Sequence, residues 1–168
     1  MGYEKYVEEA KRLGAGHAVE FTKKDIKYDS RTILKCLFGC EDYGKLHTCP
    51  NQRSLLSVFE YRKILKRYKG GIIIGHSRKK ESQDISYEIE RQCFLDGHYF
   101  AFSLSDCGLC QTCGLATAQP CRQPKKARPA FHSVGIDVFK TVRKLGLPIE
   151  VLRSQNDAQN WYSAVFID

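Results

Sequence analysis

The sequence predicts an α/β fold, a single mixed β-sheet flanked by helices, in one domain over residues 1–168. Three observations carry this expectation. Stretches with apolar residues at helical spacing alternate with short β-branched or aromatic runs. A hydrophobic share of 42% over 168 residues supplies one core and argues against disorder. The run Ile72-Ile73-Ile74 reads as a buried strand and falls far short of a membrane span.

The elements follow in chain order. Residues 3–13 form an amphipathic helix, with Tyr3, Tyr6, Val7, Ala10 and Leu13 on one side and Gly14 and Gly16 as stops. Ala18 to Phe21 is a short strand. Asp29 and Ser30 are N-cap residues for a helix carrying Ile33, Leu34 and Leu37. That helix also carries Cys36 and Cys40, whose spacing places both sulfurs on one face. The chain turns at Tyr43-Gly44 and returns at Cys49-Pro50. Arg53 to Tyr68 is a helix with Leu55, Leu56, Phe59, Ile64 and Leu65 inward. Its outer Arg62, Lys63, Lys66, Arg67 and Lys69 read as a solvated face.

A strand over 71–75 follows the Gly70-Gly71 stop. Glu81 to Asp96 is a long helix whose apolar stripe of Ile85, Ile89 and Cys93 points to core packing for Cys93. His98 to Leu104 is β by composition. With the strand at 71–75 it suggests a right-handed βαβ unit. Its end delivers the chain into Cys107, the strand-end position where open α/β sheets place sites. Val134 to Leu145 is a helix capped by Ser133, and Ile149–Leu152 and Trp161–Ile167 are expected to pair as a hairpin across the polar stretch 154–160.

The chemistry lies in the cysteines. Cys107, Cys110, Cys113 and Cys121 stand at C-x2-C-x2-C-x7-C. Three thiolates in so short a loop wrap three corners of a [4Fe-4S] cubane, and the opening matches the bacterial ferredoxin run. Zinc favours two separated knuckles instead. Gly108 and Gly114 fit a coiled loop, by close backbone approach or by positive φ. The connection at 114–132 is long, and ligation by Cys121 would order it. A second set, Cys36, Cys40 and Cys49, has spacing C-x3-C-x8-C and closes on a Cys-Pro step. Seven cysteines divided between two cubanes leave one corner open. Cys93 and His47 are the alternative fourth ligands.

A net charge of +8 suggests a nucleic-acid partner or compensation of anionic clusters. Seven thiolates and two cores of about +2 each remove about three charges, leaving about +5. We favour compensation, which leaves nucleic acid aside. Lys125, Lys126 and Arg128 lie close to the cluster loop, where they compensate its charge or dock an acidic redox protein partner. Lys45 and Arg53, near the three-cysteine set, are placed to orient a small anionic ligand. Eight cysteines without an export signal indicate a reducing, cytoplasmic setting, and no membrane segment is expected.

Taken together, Cys36-x3-Cys40-x2-Tyr43-Gly44-x4-Cys49-Pro50, the four loop cysteines with Pro124, Arg128-Pro129 and Gly135-Ile-Asp-Val138 resemble a family of small predicted metal-binding proteins of unknown function. The resemblance covers roughly residues 30–168 and implies metal binding in prokaryotes, mainly archaea and anaerobic bacteria. The family's cysteine positions match at Cys36, Cys40, Cys49, Cys107, Cys110, Cys113 and Cys121. Asn51 stands where the family pattern has a second proline. The functional expectation is an iron–sulfur electron-transfer or redox accessory protein. The alternatives are an enzyme using an open iron, dehydratase- or desulfidase-like, and a zinc-stabilised nucleic-acid adaptor. No phosphate-binding glycine loop is present in the sequence.

Overall fold

Ile72, Ile73 and Ile74 decide the architecture. Side chains alternate across a strand, yet all three are fully buried, so both faces of the sheet must be covered. Burying each such side chain contributes about 2 kcal/mol. The computed structural model describes residues 2–52, 56–154 and 156–168. Its elements are α1 (Glu4–Arg12), β1 (His17–Thr22), α2 (Thr32–Gly39), α3 (Val58–Leu65), β2 (Gly70–His76), α4 (Lys79–Leu95), β3 (Phe102–Leu104), α5 (Val138–Lys144) and β4 (Trp161–Phe166). Short 3-10 turns lie at Gly114–Thr117 and His132–Val134.

The four strands form one sheet in the order β1-β2-β4-β3. On one face α1 and α4 cover Ile72, Ile74, Val165 and Ile167. On the other, Leu65, Val134, Ile136 and Val142 cover Ile73, Ala164 and Phe166. The expected α/β sheet with helices on its faces is therefore present. Its pairing is antiparallel at every neighbour, however. β2 and β3 run parallel but are not adjacent, because β4 sits between them. The expected βαβ unit is thus split by the last strand of the chain.

The same insertion explains why 149–152 is not a strand. Both edges of β4 are taken, by β2 and by β3, so no hairpin partner can pair with it. Ile149 instead packs into the core as an irregular segment, and the Tyr162 hydroxyl donates to the Pro148 carbonyl at 2.5 Å. The 98–104 strand shrinks to 102–104, since Gly97 at φ 96° makes a turn and Tyr99 and Phe100 face solvent.

Helix caps also differ from expectation. α5 starts at Val138, capped by Asp137, whose carboxylate accepts from the Lys140 amide; Ser133 lies within the preceding 3-10 turn. α3 begins at Val58 with a capping box between Ser57 and Glu60. The earlier part of the helix expected at 53–68 includes residues 53–55, which lie outside the described residues. Residue 155 of the polar stretch does so too. Among the described residues, no helix is long and apolar enough to cross a membrane.

Candidate metal centre

β2 and β3 both end, and β4 begins, at one end of the sheet. Three residues after Leu104 the chain reaches Cys107. A tie closes the excursion that follows: the Ser105 amide donates to the Pro129 carbonyl at 3.0 Å. Within it, the turn at Gly114–Thr117 ends at Ala118 in the left-handed region, φ 53°. The Gln119 amide then returns to the Gly114 carbonyl at 2.8 Å. A Cβ on Gly114 would stand 2.5 Å from the Pro120 carbonyl oxygen. This close approach brings the step 113–114 against the step 120–121. Neither Gly108 nor Gly114 has a positive φ. Proximity, not backbone handedness, requires glycine at 114.

Cys107, Cys110, Cys113 and Cys121 thus line one hollow of about 30 Å³. Gln83 of α4, 1% exposed, supports it from below. Its Oε1 accepts from the Gly108 amide at 2.8 Å and its Nε2 donates to the Lys126 carbonyl at 3.4 Å. Burial pushes the Cys107 thiol up, while hydrogen bonds from the Leu109 amide and the Gln83 side chain act to lower it. Gln123 donates to the Leu109 carbonyl at 3.2 Å and lies 3.9 Å from the Cys110 sulfur. The return segment is pinned to α4 by a largely buried ion pair, Arg128 with Glu90. Glu90 also accepts from the Ser103 amide at 2.6 Å, which fastens β3 to the same anchor. The Ser105 hydroxyl, 1% exposed, is the one buried side-chain polar atom without a partner among the described residues. An orphan of this kind two residues before Cys107 accords with a polar or ionic group at the site.

Cys36, Cys40 and Cys49 line a different and larger cavity of about 900 Å³. Cys36 is buried on α2, and burial pushes its thiol up to about 11, partly offset by a hydrogen bond with Ser133. α2 ends at Gly39, so Cys40 is an exposed, extended C-cap at φ −113°, ψ 117°. The helical one-face argument for Cys36 and Cys40 therefore does not hold. The turn at 40–49, with Tyr43 amide to Cys40 carbonyl at 3.2 Å and Cys49 amide to Leu46 carbonyl at 3.0 Å, brings Cys49 back to the cavity instead. The Cys49 thiol donates to the Asp42 carbonyl at 3.3 Å.

The two cavities share Leu46 and Thr48 in their walls. Lys79, at the start of α4, lies between the two sets. Its ammonium is 3.9 Å from Asp106 and 5.3 Å from the Trp161 ring, and its stem passes Gly108. Among the described residues, no three histidine, cysteine or acidic side chains converge on a single-ion site.

The two alternative fourth ligands lie elsewhere. Cys93 is fully buried in the core between α1 and α4, on the far face of the sheet, and burial pushes its thiol up to about 12. His47 lines the four-cysteine hollow, and its Nε2 donates to the Gln119 carbonyl at 2.9 Å. Lys45 is exposed and does not line the large cavity; Arg53 lies outside the described residues. Sequence reasoning did not find Gln83, Lys79, Asp106 or Ser133. Gln83 carries no motif signal, since a glutamine in an amphipathic helix reads as surface. Asp106, directly before Cys107, was the one with a visible cue.

The model of a family described as predicted metal-binding protein (DUF2284) matches residues 20–167. No curated protein and no solved structure matches the chain.

Proposed function

We propose an iron–sulfur electron-transfer function for this chain, which belongs to the family of predicted metal-binding proteins. The supporting observation is the division of the cysteines: four line one hollow, three line another, and the two hollows share a wall. The donors are soft thiols, which suit iron–sulfur clusters and zinc. A single zinc ion asks its sulfurs to meet about 2.3 Å from one point. A [4Fe-4S] cluster takes each thiolate on a separate iron, a wider spread that accords with hollows lined from several loop positions. When bound, such clusters supply one-electron exchange.

The chain's own residues do the rest. Gln83 and the Leu109 amide offset part of the burial that raises the Cys107 thiol. Gln83, through Gly108 and Lys126, also holds the two ends of the loop in register. Leu46 and Thr48 keep the two sets apart, and a shared wall is the short path two redox centres need. The exposed Cys40 side is where a redox protein partner would approach. Iron and labile sulfide per chain, measured after anaerobic purification, test the reading. About eight of each are expected for two clusters. One zinc and no sulfide would overturn it in favour of the zinc-binding nucleic-acid adaptor.

A second reading, an enzyme with an open iron, is favoured by one contrast: about 900 Å³ beside three cysteines against about 30 Å³ beside four. A cavity of this size admits a ligand at an unfilled corner. Its charge shifts the ligand class from the anion first expected. The lining carries Asp29, Glu41, Asp42, Asp106 and Asp137 against three cations, of which Arg31 is held by Asp29 at 2.5 Å. A cationic or uncharged ligand suits it better than an anion. Mild oxidation followed by electron paramagnetic resonance tests the vacancy. A three-iron signal from one site only is expected, and a wild-type protein that never shows it has two closed sites.

A further inference from the structure

At the end of the sheet opposite the cysteines lies a hollow of about 410 Å³. Arg67 and Tyr68, before β2, form one wall. His98, Tyr99 and Phe100, after α4, form another, with Asp168 on the floor. Two features of this hollow have no use in the fold. The first is aromatic surface left to solvent: Tyr99 is 73% exposed and Phe100 82%. The segment is nonetheless held in place. The Tyr68 hydroxyl donates to the Phe100 carbonyl at 2.5 Å, and the Phe94 and Tyr99 rings meet edge to face at 6.3 Å. The second is unpaired positive charge. Asp168 is matched by Lys69 at 3.5 Å, which leaves Arg67 free of it. Among the described residues, Arg67 forms no ion pair.

Each feature alone is ordinary. Exposed basic side chains are usually solvated, and single exposed aromatics are common. Their meeting on one concave surface selects a chemistry. Rigid aromatic faces stack on planar rings, whatever the ring's identity. A guanidinium binds phosphate through paired N–H groups. The volume suits one ring and its sugar rather than a protein segment.

We propose that this hollow binds a phosphorylated planar heterocycle, a nucleotide, with its ring against Tyr99 and Phe100 and its phosphate at Arg67. The same chemistry is offered by a free nucleotide and by the end of a single strand. The site stands apart from the cysteine centres and does not depend on what they hold.

Calorimetric titration of the purified full chain at low salt tests this, with adenosine 5′-monophosphate as the probe and backbone amide shifts as the locator. Saturable binding is expected, with shifts confined to residues 64–68 and 97–100. Adenosine and inorganic phosphate, each carrying half of the recognition, should bind at least about tenfold more weakly. Single-stranded oligodeoxyadenylate separates the two sources: tighter binding than the monophosphate identifies a strand, and equal or weaker binding a free nucleotide. Arg67→Glu and Tyr99→Ala, both at exposed positions, should each weaken the monophosphate about tenfold. Arg153→Glu, an equal charge change at the other end of the molecule, should leave it unchanged. Absence of saturable binding for the monophosphate and the oligonucleotide alike overturns the proposal. So does an equal loss in Arg153→Glu, which would reveal general attraction to a basic protein, or no loss in either site variant.

Discussion

The two cysteine regions use opposite means of closure. The four-cysteine loop is shut by its own backbone: Gly114 lies against Pro120, Gln119 returns to Gly114, and Ser105 is tied to Pro129. The hollow left is about 30 Å³. Among the described residues, the three-cysteine region is held within itself only by the turn at 40–49, which returns Cys49. Cys36 belongs to a helix, Cys40 to its extended end and Cys49 to a turn, and the cavity of about 900 Å³ is walled by distant parts of the chain, α5 and the start of β4 among them. Short spacing closes a site locally and leaves no space for an exchangeable ligand beside it, while long spacing relies on tertiary walls and leaves a cavity. Under the iron–sulfur reading, the first region suits electron storage and the second exchange with a ligand.

The largest expected effect comes from removing a donor in the closed region. Cys110→Ser should lose about four irons and unlock residues 105–124, leaving the iron of the other region in place. Metal analysis with hydrogen exchange across the loop would check this. Loss of all iron would show that the two regions are not independent.

Gly114→Ala should be next. Its Cβ meets a backbone oxygen at 2.5 Å, so the loop must open. Overpacking of this kind costs about 1–3 kcal/mol. Thermal unfolding should show a lowered midpoint, and iron should leave the four-cysteine site faster while the other site keeps its rate.

Cys93→Ser tests the comparison from outside. The thiol sits in an apolar core behind the sheet, so a hydroxyl there should cost about 1–2 kcal/mol by urea unfolding and change no metal content. A new three-iron signal in this variant would instead make Cys93 the fourth donor of the open region.

The smallest effect is electrostatic and bears on the walls of the large cavity alone. Burial raises the Asp25 carboxyl, but Lys144, at 2.8 Å, and the amide and hydroxyl of Thr22 outweigh it and hold the group at about 2. A carboxyl depressed in the fold stabilises above its ordinary value of 3.8 and loses that contribution as pH falls toward about 2. The tie joins β1 to the end of α5, which walls the open region. Asp25→Asn should remove about 1 kcal/mol near neutral pH and flatten this part of the acid profile, measured by denaturant unfolding of the metal-free chain between pH 5 and pH 2.

Much of the fold was legible without coordinates. α1, β1, β2 and α4 lie close to where apolar spacing puts them, because each pattern is written within a few consecutive residues. Cys93 reads as core from the same stripe that buries it. The division of seven cysteines into four and three also follows from spacing, since four of them lie within fifteen residues of one another.

Other features depended on the tertiary structure. The last strand could enter between β2 and β3 only because of pairings made by residues far apart in sequence, such as Ile73 with Ala164. That insertion turned an expected mixed sheet into an antiparallel one and denied 149–152 a partner. Gln83 gains its role from Gly108, 25 residues away, and no local pattern encodes such a contact. The unequal volumes beside the two cysteine sets have the same origin. A donor set is a property of spacing along one segment, whereas the space around it is set by side chains that several segments bring to the same place.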